Sequence, residues 1–493
     1  MFLLLTMFTV HVAVYFKLNL GFIDSDQPYM WLGAHDYAKG LFYEPRYYGQ
    51  SYSTFMEALF AVPFVWMNLP VYCAVPLATH LIFLFPFLFS SLYLFFHNKK
   101  PAALLIIALT LCLPADYDLL TSLPRGFVTG LFFTSFFVIN ILNPTNFRFI
   151  FLNTFFAVLG YFVNPNSVLV SAPFLFYIFL HHYKNPRYYY ITFSALFLYW
   201  PLHLFFDRFY ISHPDYVMSV IHYNFSLDFL WQNISSLDSR FAQLSFFFPN
   251  NCLLLLCVML LVSIFLFRKN KKAFASFLIF IAMLLFSFCS GKTSEGSTWA
   301  YMSYSRMYLG IPIFICLFIP LFELNIRNCL LLPFCIPLLF SAYKILNLEK
   351  LVGRHYDSRN FHGVRVLPLK DALQIISFYK KVCAERNMDF MLISNRFWLN
   401  NVVCYGGPAI YDDYQDTQET KFDKRYWMRA KTNKKIYETF ILVSSLGQFK
   451  ELLPKHTYFE LEKLDDYGLF LVNSNTLKTE DFIKFINAYE PYD

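Results

Sequence analysis

The stretch IDSDQPYMW, residues 23–31, sets Asp24 and Asp26 two residues apart just beyond the first apolar run of the chain. Two neighbouring carboxylates raise each other's proton affinity and partial burial raises it further, which suits one of them to take a proton from a hydroxyl. The same spacing also serves divalent cations, which bind through oxygen ligands. Asp26 has a plainer use as a helix cap, because Pro28 fits the first turn of a helix beginning just after it. Capping does not explain a second acid two residues upstream.

From Asp24 to Glu57 the chain carries five acids, Asp24, Asp26, Asp36, Glu44 and Glu57, against only Lys39 and Arg46. Nine aromatic rings lie between Tyr29 and Phe55. The rings of YYGQSY at 47–52 can stack on the apolar face of a sugar while Tyr48 and Gln50 bond its hydroxyls, and Tyr29, Trp31 and Glu57 join them as candidate contacts for a sugar or acceptor. Tyr and Trp are also common at any bilayer interface. Opposite charge comes from Arg125, after Pro124, and from Lys292 and Arg306, which flank TSEGSTWAYMSYS. A guanidinium holds phosphate through two parallel hydrogen bonds and a lysine adds a mobile charge. Singly, each is an ordinary interfacial anchor. On one side of a membrane with Asp26, they form a candidate phosphate site.

The elements that must position these residues are apolar. Hydrophobic residues make up 57% of the 493, aromatic residues 21% and charged residues 15%, the balance of an integral membrane protein. Of the 73 charged residues, 32 lie in 1–345 and 41 in the last 148, which predicts a transmembrane module over 1–345 and a polar domain over 346–493. The net charge of +7 gathers beside apolar runs, in HNKK (97–100), HHYKNPR (181–187) and RKNKK (268–272). These clusters are cytoplasmic topology anchors, not a nucleic-acid face. The ten cysteines form no CxxC pair, and most lie in apolar runs as small hydrophobes. Cys383 and Cys404 would pair only in an oxidising compartment. The opening MFLLLTMFTVHVAVYF lacks a basic leader and a cleavage site, so it is expected to remain as a first span.

Twelve apolar segments between 1 and 345 predict a polytopic α-helical protein with about 11 transmembrane helices. Either segment 54–68, with Glu57, Pro63 and Trp66, lies at the interface or re-enters, or the small HNKK cluster is a false anchor. The basic anchors then place loop 17–52, the turn at 114–126, loop 207–248, residues 291–306 and the C-terminal domain outside the cytosol. Beyond 345, DALQIISFYKKVCAE has helical spacing, MDFMLIS, ETFILVSS and GLFLVN look like strands, and TEDFIKFINAY like a closing helix. A small α/β domain without a glycine-rich nucleotide loop follows. The mixed charges of 411–435 read as a solvated face.

With these residues in view, the sequence resembles the polytopic glycosyltransferases of the GT-C superfamily, especially the bacterial protein mannosyltransferase and aminoarabinose transferase group. DQPYMWLGAHDYAKG is similar to their DEAYYW-type segment in the first external loop. Asp26 takes the leading acidic place, Gln27 departs from the usual second acid, and Tyr29 and Trp31 take aromatic places. EPRYYGQSYSTFMEAL resembles the YGQ…Y…EA segment of a less characterised bacterial branch, and YSRMYLGIP at 304–312 an arginine-containing late segment.

The resemblance implies a sugar donor linked to a polyprenyl phosphate and a glycan, lipid or protein acceptor, at the extracytoplasmic face of the bacterial inner membrane. It implies that Asp26 is the base, or binds the acceptor with metal support. Asp24 orients the acceptor or joins Asp26 on Mg²⁺ or Mn²⁺, and a reaction without a required cofactor is the first expectation. Arg306, with Lys292 or Arg125, would hold the phosphate. Two other readings use the same surfaces: a transporter or flippase of a lipid-linked glycan, and a membrane scaffold whose C-terminal domain binds an external partner.

Overall fold

In an apolar chain every backbone N–H and C=O must be satisfied internally, and helices do this locally. The computed structural model of the protein describes residues 2–47, 53–214, 216, 224–322, 332–357, 360–361, 364–393, 402, 406–411, 416–419, 439–443, 459–463 and 469–474, and these are mostly helical. The first half holds α1 (Phe2–Val14), β1 (Phe22–Asp24), α2 (Gln27–Ala38), α3 (Met56–Trp66), α4 (Val71–Phe96), α5 (Lys100–Leu111), α6 (Ala115–Leu120), α7 (Phe137–Leu142), α8 (Phe147–Val163), α9 (Val168–His182), α10 (Pro186–Phe197) and α11 (Tyr199–Ser212). Then follow α12 (Leu227–Ser235), α13 (Leu237–Arg240), α14 (Leu253–Lys269), α15 (Lys271–Ser287), α16 (Gly310–Phe318) and α17 (Leu332–Asp357). The remainder comprises β2 (Asn360–Phe361), β3 (Val364–Pro368), α18 (Leu369–Glu385), β4 (Phe390–Ile393), α19 (Gly407–Ile410), β5 (Asp416–Glu419), β6 (Thr439–Val443), β7 (Phe459–Lys463) and β8 (Leu469–Ser474).

Among the described residues, three helical segments are long and apolar enough to cross a bilayer: Phe2–Asn19, Val71–Phe96 and Pro186–Ser212. Other expected segments form shorter apolar helices, including Met56–Trp66, Lys100–Leu111 and Phe147–Val163. At 11 residues, α3 is roughly 17 Å long and too short to cross. The expected segment 122–142 is not one helix, because Thr129–Phe136 winds as a 3-10 helix before α7. Gly130 explains the tight fit there: a Cβ on it would lie 2.5 Å from the Asn164 carbonyl oxygen and 2.6 Å from that of Gly160.

Two apolar cores form. The larger joins α1, most of α4 and α5–α9 to α14–α17. The smaller packs Met30, Trp31 and Phe55 with Leu367, Ile376, Met391 and Ile441, so α2 and α3 share a core with the C-terminal strands. Position 345, expected to end the membrane module, lies inside α17.

The three expected strands appear as β4, β6 and β8, in a five-stranded sheet ordered β5-β4-β6-β8-β7. Strand β4 runs parallel to β5 and β6, whereas β8 is antiparallel to β6 and β7. The expected helix before them is α18; TEDFIKFINAY and Cys404 lie outside the described residues. A second, three-stranded sheet was not foreseen. In it β1 pairs antiparallel with β3, Asp24 opposite Val366, and the Leu369 N–H donates to the Gly21 carbonyl at 2.9 Å. The strand that ends in Asp24 is therefore held by chain more than 340 positions away.

A buried ion pair ties the larger core together. Lys344 Nζ of α17 lies 2.7 Å from Asp118 Oδ2 of α6, and His11 Nε2 of α1 is 4.0 Å from the other carboxylate oxygen.

Candidate active site

Strand β1 delivers Asp24 to the start of α2, and the chain turns there through Ser25 and Asp26. Asp24 Oδ1 accepts the backbone N–H of Asp26 at 2.9 Å and of Gln27 at 3.1 Å. Asp24 thus satisfies the first free donors of α2, while the Asp26 side chain makes no capping bond. This corrects the capping role expected for Asp26 and leaves its carboxylate available for other work.

Both acids face one cation. Arg125 Nη1 lies 3.4 Å from Asp24 Oδ2 and donates to the Tyr301 carbonyl, while Nη2 donates to Asp26 Oδ2. The side chain of Asp24 is 0% exposed and that of Arg125 8%, but Asp26 is 39% exposed. Among the described residues Asp26 Oδ1 has no partner, so this part-exposed carboxylate has one oxygen fixed by Arg125 and the other unengaged. Burial pushes the Asp24 carboxyl up, against the pull of Arg125, and the charge of Asp26 adds to the rise. Burial also works against the charge on Arg125, but Asp24 and Asp26 outweigh it and hold the guanidinium above its ordinary value.

Around this trio runs a chain of hydrogen bonds. The Tyr47 hydroxyl donates to the Asp26 carbonyl at 2.9 Å. Buried Glu57 accepts the Gly126 N–H at 2.9 Å through Oε2, and its Oε1 has no partner among the described residues. The Gly126 carbonyl accepts from Asn164 Nδ2 at 2.7 Å, Asn164 Oδ1 accepts the Asn166 N–H at 2.9 Å, and Asn166 Nδ2 donates to the Arg306 carbonyl at 3.2 Å. Arg306 is thereby linked to the carboxylate site through backbone. Its guanidinium turns into its own loop, donating to the carbonyls of Ser303 at 3.1 Å and Glu295 at 3.2 Å.

The other expected residues scatter. Lys292 pairs with Glu295 three residues on, not with the acids. Trp31 is 1% exposed and packs in the smaller core, 6.1 Å from the Tyr72 ring, so its role is structural packing and not sugar contact. Tyr29 is half-buried, its ring 5.8 Å from that of Tyr47. Tyr48 and Gln50 lie outside the described residues. Glu57 is a buried acceptor for backbone, not an exposed acceptor contact.

A Mg²⁺ or Mn²⁺ shared by Asp24 and Asp26 does not fit this arrangement. The Arg125 guanidinium takes the bridging place between the carboxylates, and no group of three potential metal ligands occurs among the described residues. Sequence reasoning missed Tyr47, Gly126 and Asn164. A signal for Gly126 was present in PRG at 124–126: φ there is +79°, and a Cβ would fall 2.2 Å from Ser53 Oγ, so only glycine lets the loop that carries Arg125 close over residue 53.

The arrangement can orient a hydroxyl against Asp26 Oδ1 beside a fixed positive charge, at the edge of an apolar helical body. No family model, no curated protein and no solved structure matches the chain.

Proposed function

We propose that the protein is a GT-C-like glycosyltransferase with about 11 crossings, moving a sugar from a polyprenyl-phosphate-linked donor to a glycan, lipid or protein acceptor. It works at the extracytoplasmic face of a bacterial inner membrane. One observation carries the reading: the Asp26 side chain is part-exposed and its Oδ1 has no partner among the described residues, while Arg125 fixes the other oxygen and Asp24 fixes the turn. A lipid-linked sugar needs an apolar path for its tail and a polar cleft for its head, and a largely apolar helical protein with one recessed carboxylate cluster supplies both.

In this mechanism the acceptor hydroxyl attacks the anomeric carbon as its proton passes to Asp26 Oδ1. The bond from that carbon to the phosphate oxygen breaks, its electron pair leaving with the phosphate, and direct attack inverts the anomeric centre. Arg125 keeps the receiving carboxylate in place. Arg306 and Lys292 are already engaged, so they are a weaker choice for the phosphate than the sequence suggested.

Removing a general base costs about 10²–10⁴-fold in rate. Purified Asp26→Asn is therefore expected to keep its fold but release almost no headgroup from a labelled polyprenyl-phosphate sugar in proteoliposomes. Turnover of that variant at the wild-type rate would rule out the base.

The transporter reading keeps one observation in its favour, the ion pair Lys344–Asp118 with His11 inside the helical body, because buried ionisable groups often line translocation paths. Movement of the labelled lipid across the bilayer without loss of its headgroup would support it.

A further inference from the structure

A second cation of the same loop, Arg46, forms no ion pair among the described residues. The guanidinium carbon of Arg46 lies 4.7 Å from the Phe162 ring centroid and 4.9 Å from that of Phe206, two rings that themselves meet edge to face. Nη1 donates to the Phe162 carbonyl, near the C-terminal end of α8, at 3.0 Å. Nε and Nη2 meet no acceptor among the described residues. Glu44 Oε2 accepts the Tyr210 hydroxyl at 3.0 Å, and Asp207, whose charge favours that of Arg46, has its Oδ2 3.3 Å from His203 Nδ1. Burial disfavours the charge on Arg46. A half-buried guanidinium packed against two rings, with donors to spare, is suited to an anion with oxygen acceptors.

The surface beside Arg46 is apolar. Phe206 and Tyr210 belong to α11, which has no buried residue, and the continuous α10–α11 segment exposes Phe193, Phe197, Trp200 and Phe205. An exposed aromatic helix pair of this length suits a hydrocarbon chain. Tyr47, the next residue in the chain, donates to the Asp26 carbonyl.

We infer that Arg46 is the seat for the phosphate of an amphiphile whose chain lies along α10–α11. The inference rests on the cation packed against two rings and the bare helix pair, and it stands whether or not Asp26 acts as a base.

The test is binding of dodecyl phosphate to the full-length protein in phosphatidylcholine nanodiscs, followed by tryptophan fluorescence, with dodecanol and inorganic phosphate as controls. Charge-assisted hydrogen bonds of this kind correspond to about ten- to a hundredfold in affinity. Wild type should therefore bind dodecyl phosphate at least about tenfold tighter than dodecanol, and Arg46→Gln should erase the difference. Arg46→Lys keeps the charge without the planar group and should retain part of it, which keeps the test open if the glutamine variant folds poorly. Asp26→Asn should bind as wild type, separating this site from the transfer chemistry. Phosphatidylglycerol that competes would assign the seat to a bilayer phospholipid and failure to compete to a phosphate monoester, and both support an anionic amphiphile. Equal binding of dodecyl phosphate by Arg46→Gln or Arg46→Lys and wild type, equal binding of dodecanol, or displacement by inorganic phosphate at the same concentration as dodecyl phosphate would overturn the inference.

Discussion

Arg125 Nη1 stands 3.4 Å from Asp24 Oδ2, and both side chains are closed to solvent. Withdrawing one member of such a pair leaves an uncompensated charge, which costs far more than an exposed ion pair contributes. Arg125→Ala is expected to destabilise the protein by about 3–5 kcal/mol, and adding Asp24→Asn should restore part of the loss. Arg125→Lys should fall between, because a single ammonium cannot serve two carboxylates and the Tyr301 carbonyl in one plane. Thermal denaturation in detergent reads all three; an unchanged midpoint for Arg125→Ala would contradict the bridging role.

Gly126 offers an independent check on the loop behind Arg125. Alanine at φ +79° carries a backbone penalty of about 1–2 kcal/mol, and its Cβ would meet Ser53 Oγ at 2.2 Å. Gly126→Ala should therefore lower the melting midpoint, and Ser53→Ala in the same chain should recover the steric part but not the backbone part. The coupling in that double-mutant cycle measures the contact.

Glu57 predicts a pH dependence. Burial pushes its carboxyl up to about 8, from an ordinary value of 4.5. Between those values the folded protein holds a proton that the unfolded chain has released, so this group's contribution to stability falls as pH rises through the window. Glu57→Gln mimics the protonated form and should flatten that part of the profile while keeping the bond to the Gly126 N–H. Melting midpoints from pH 5 to pH 8 read the effect, and an identical slope in the variant would exclude Glu57 as its source.

Much of this was legible because chemistry in an apolar chain stands out. Asp24, Asp26 and Arg125 were all visible as polar residues beside apolar runs, and the short continuous apolar runs in MDFMLIS and ETFILVSS marked β4 and β6. The partner of Arg125 was not legible, since composition shows that charges of both signs exist but not which of them meet. The residues Phe22–Asp24 are too few to show a strand period, and their partner β3 is remote, so the β1–β3 pairing left no local trace. Trp31 misled for a related reason: an aromatic residue beside a bilayer looks the same in sequence whether it faces a ligand or a core, and the core it shares with Ile376 and Met391 comes from the far end of the chain. The 3-10 stretch Thr129–Phe136 hid within an apolar run whose composition fits a plain helix.

The ion pair between Lys344 and Asp118 yields the last prediction. It joins α17 to α6, seven residues before Arg125, with both side chains at most 4% exposed. A buried pair costs desolvation on both sides, so an apolar replacement of both members is often neutral, whereas removing one is not. Lys344→Met should therefore destabilise by about 3–5 kcal/mol by stranding the carboxylate, while Lys344→Met with Asp118→Leu should return most of it. If transport is the function, the double variant, though stable, should stop lipid movement; if the pair only fastens α17 to α6, headgroup transfer should persist in it. One stable variant thus separates a structural clamp from a group that must change its charge during turnover.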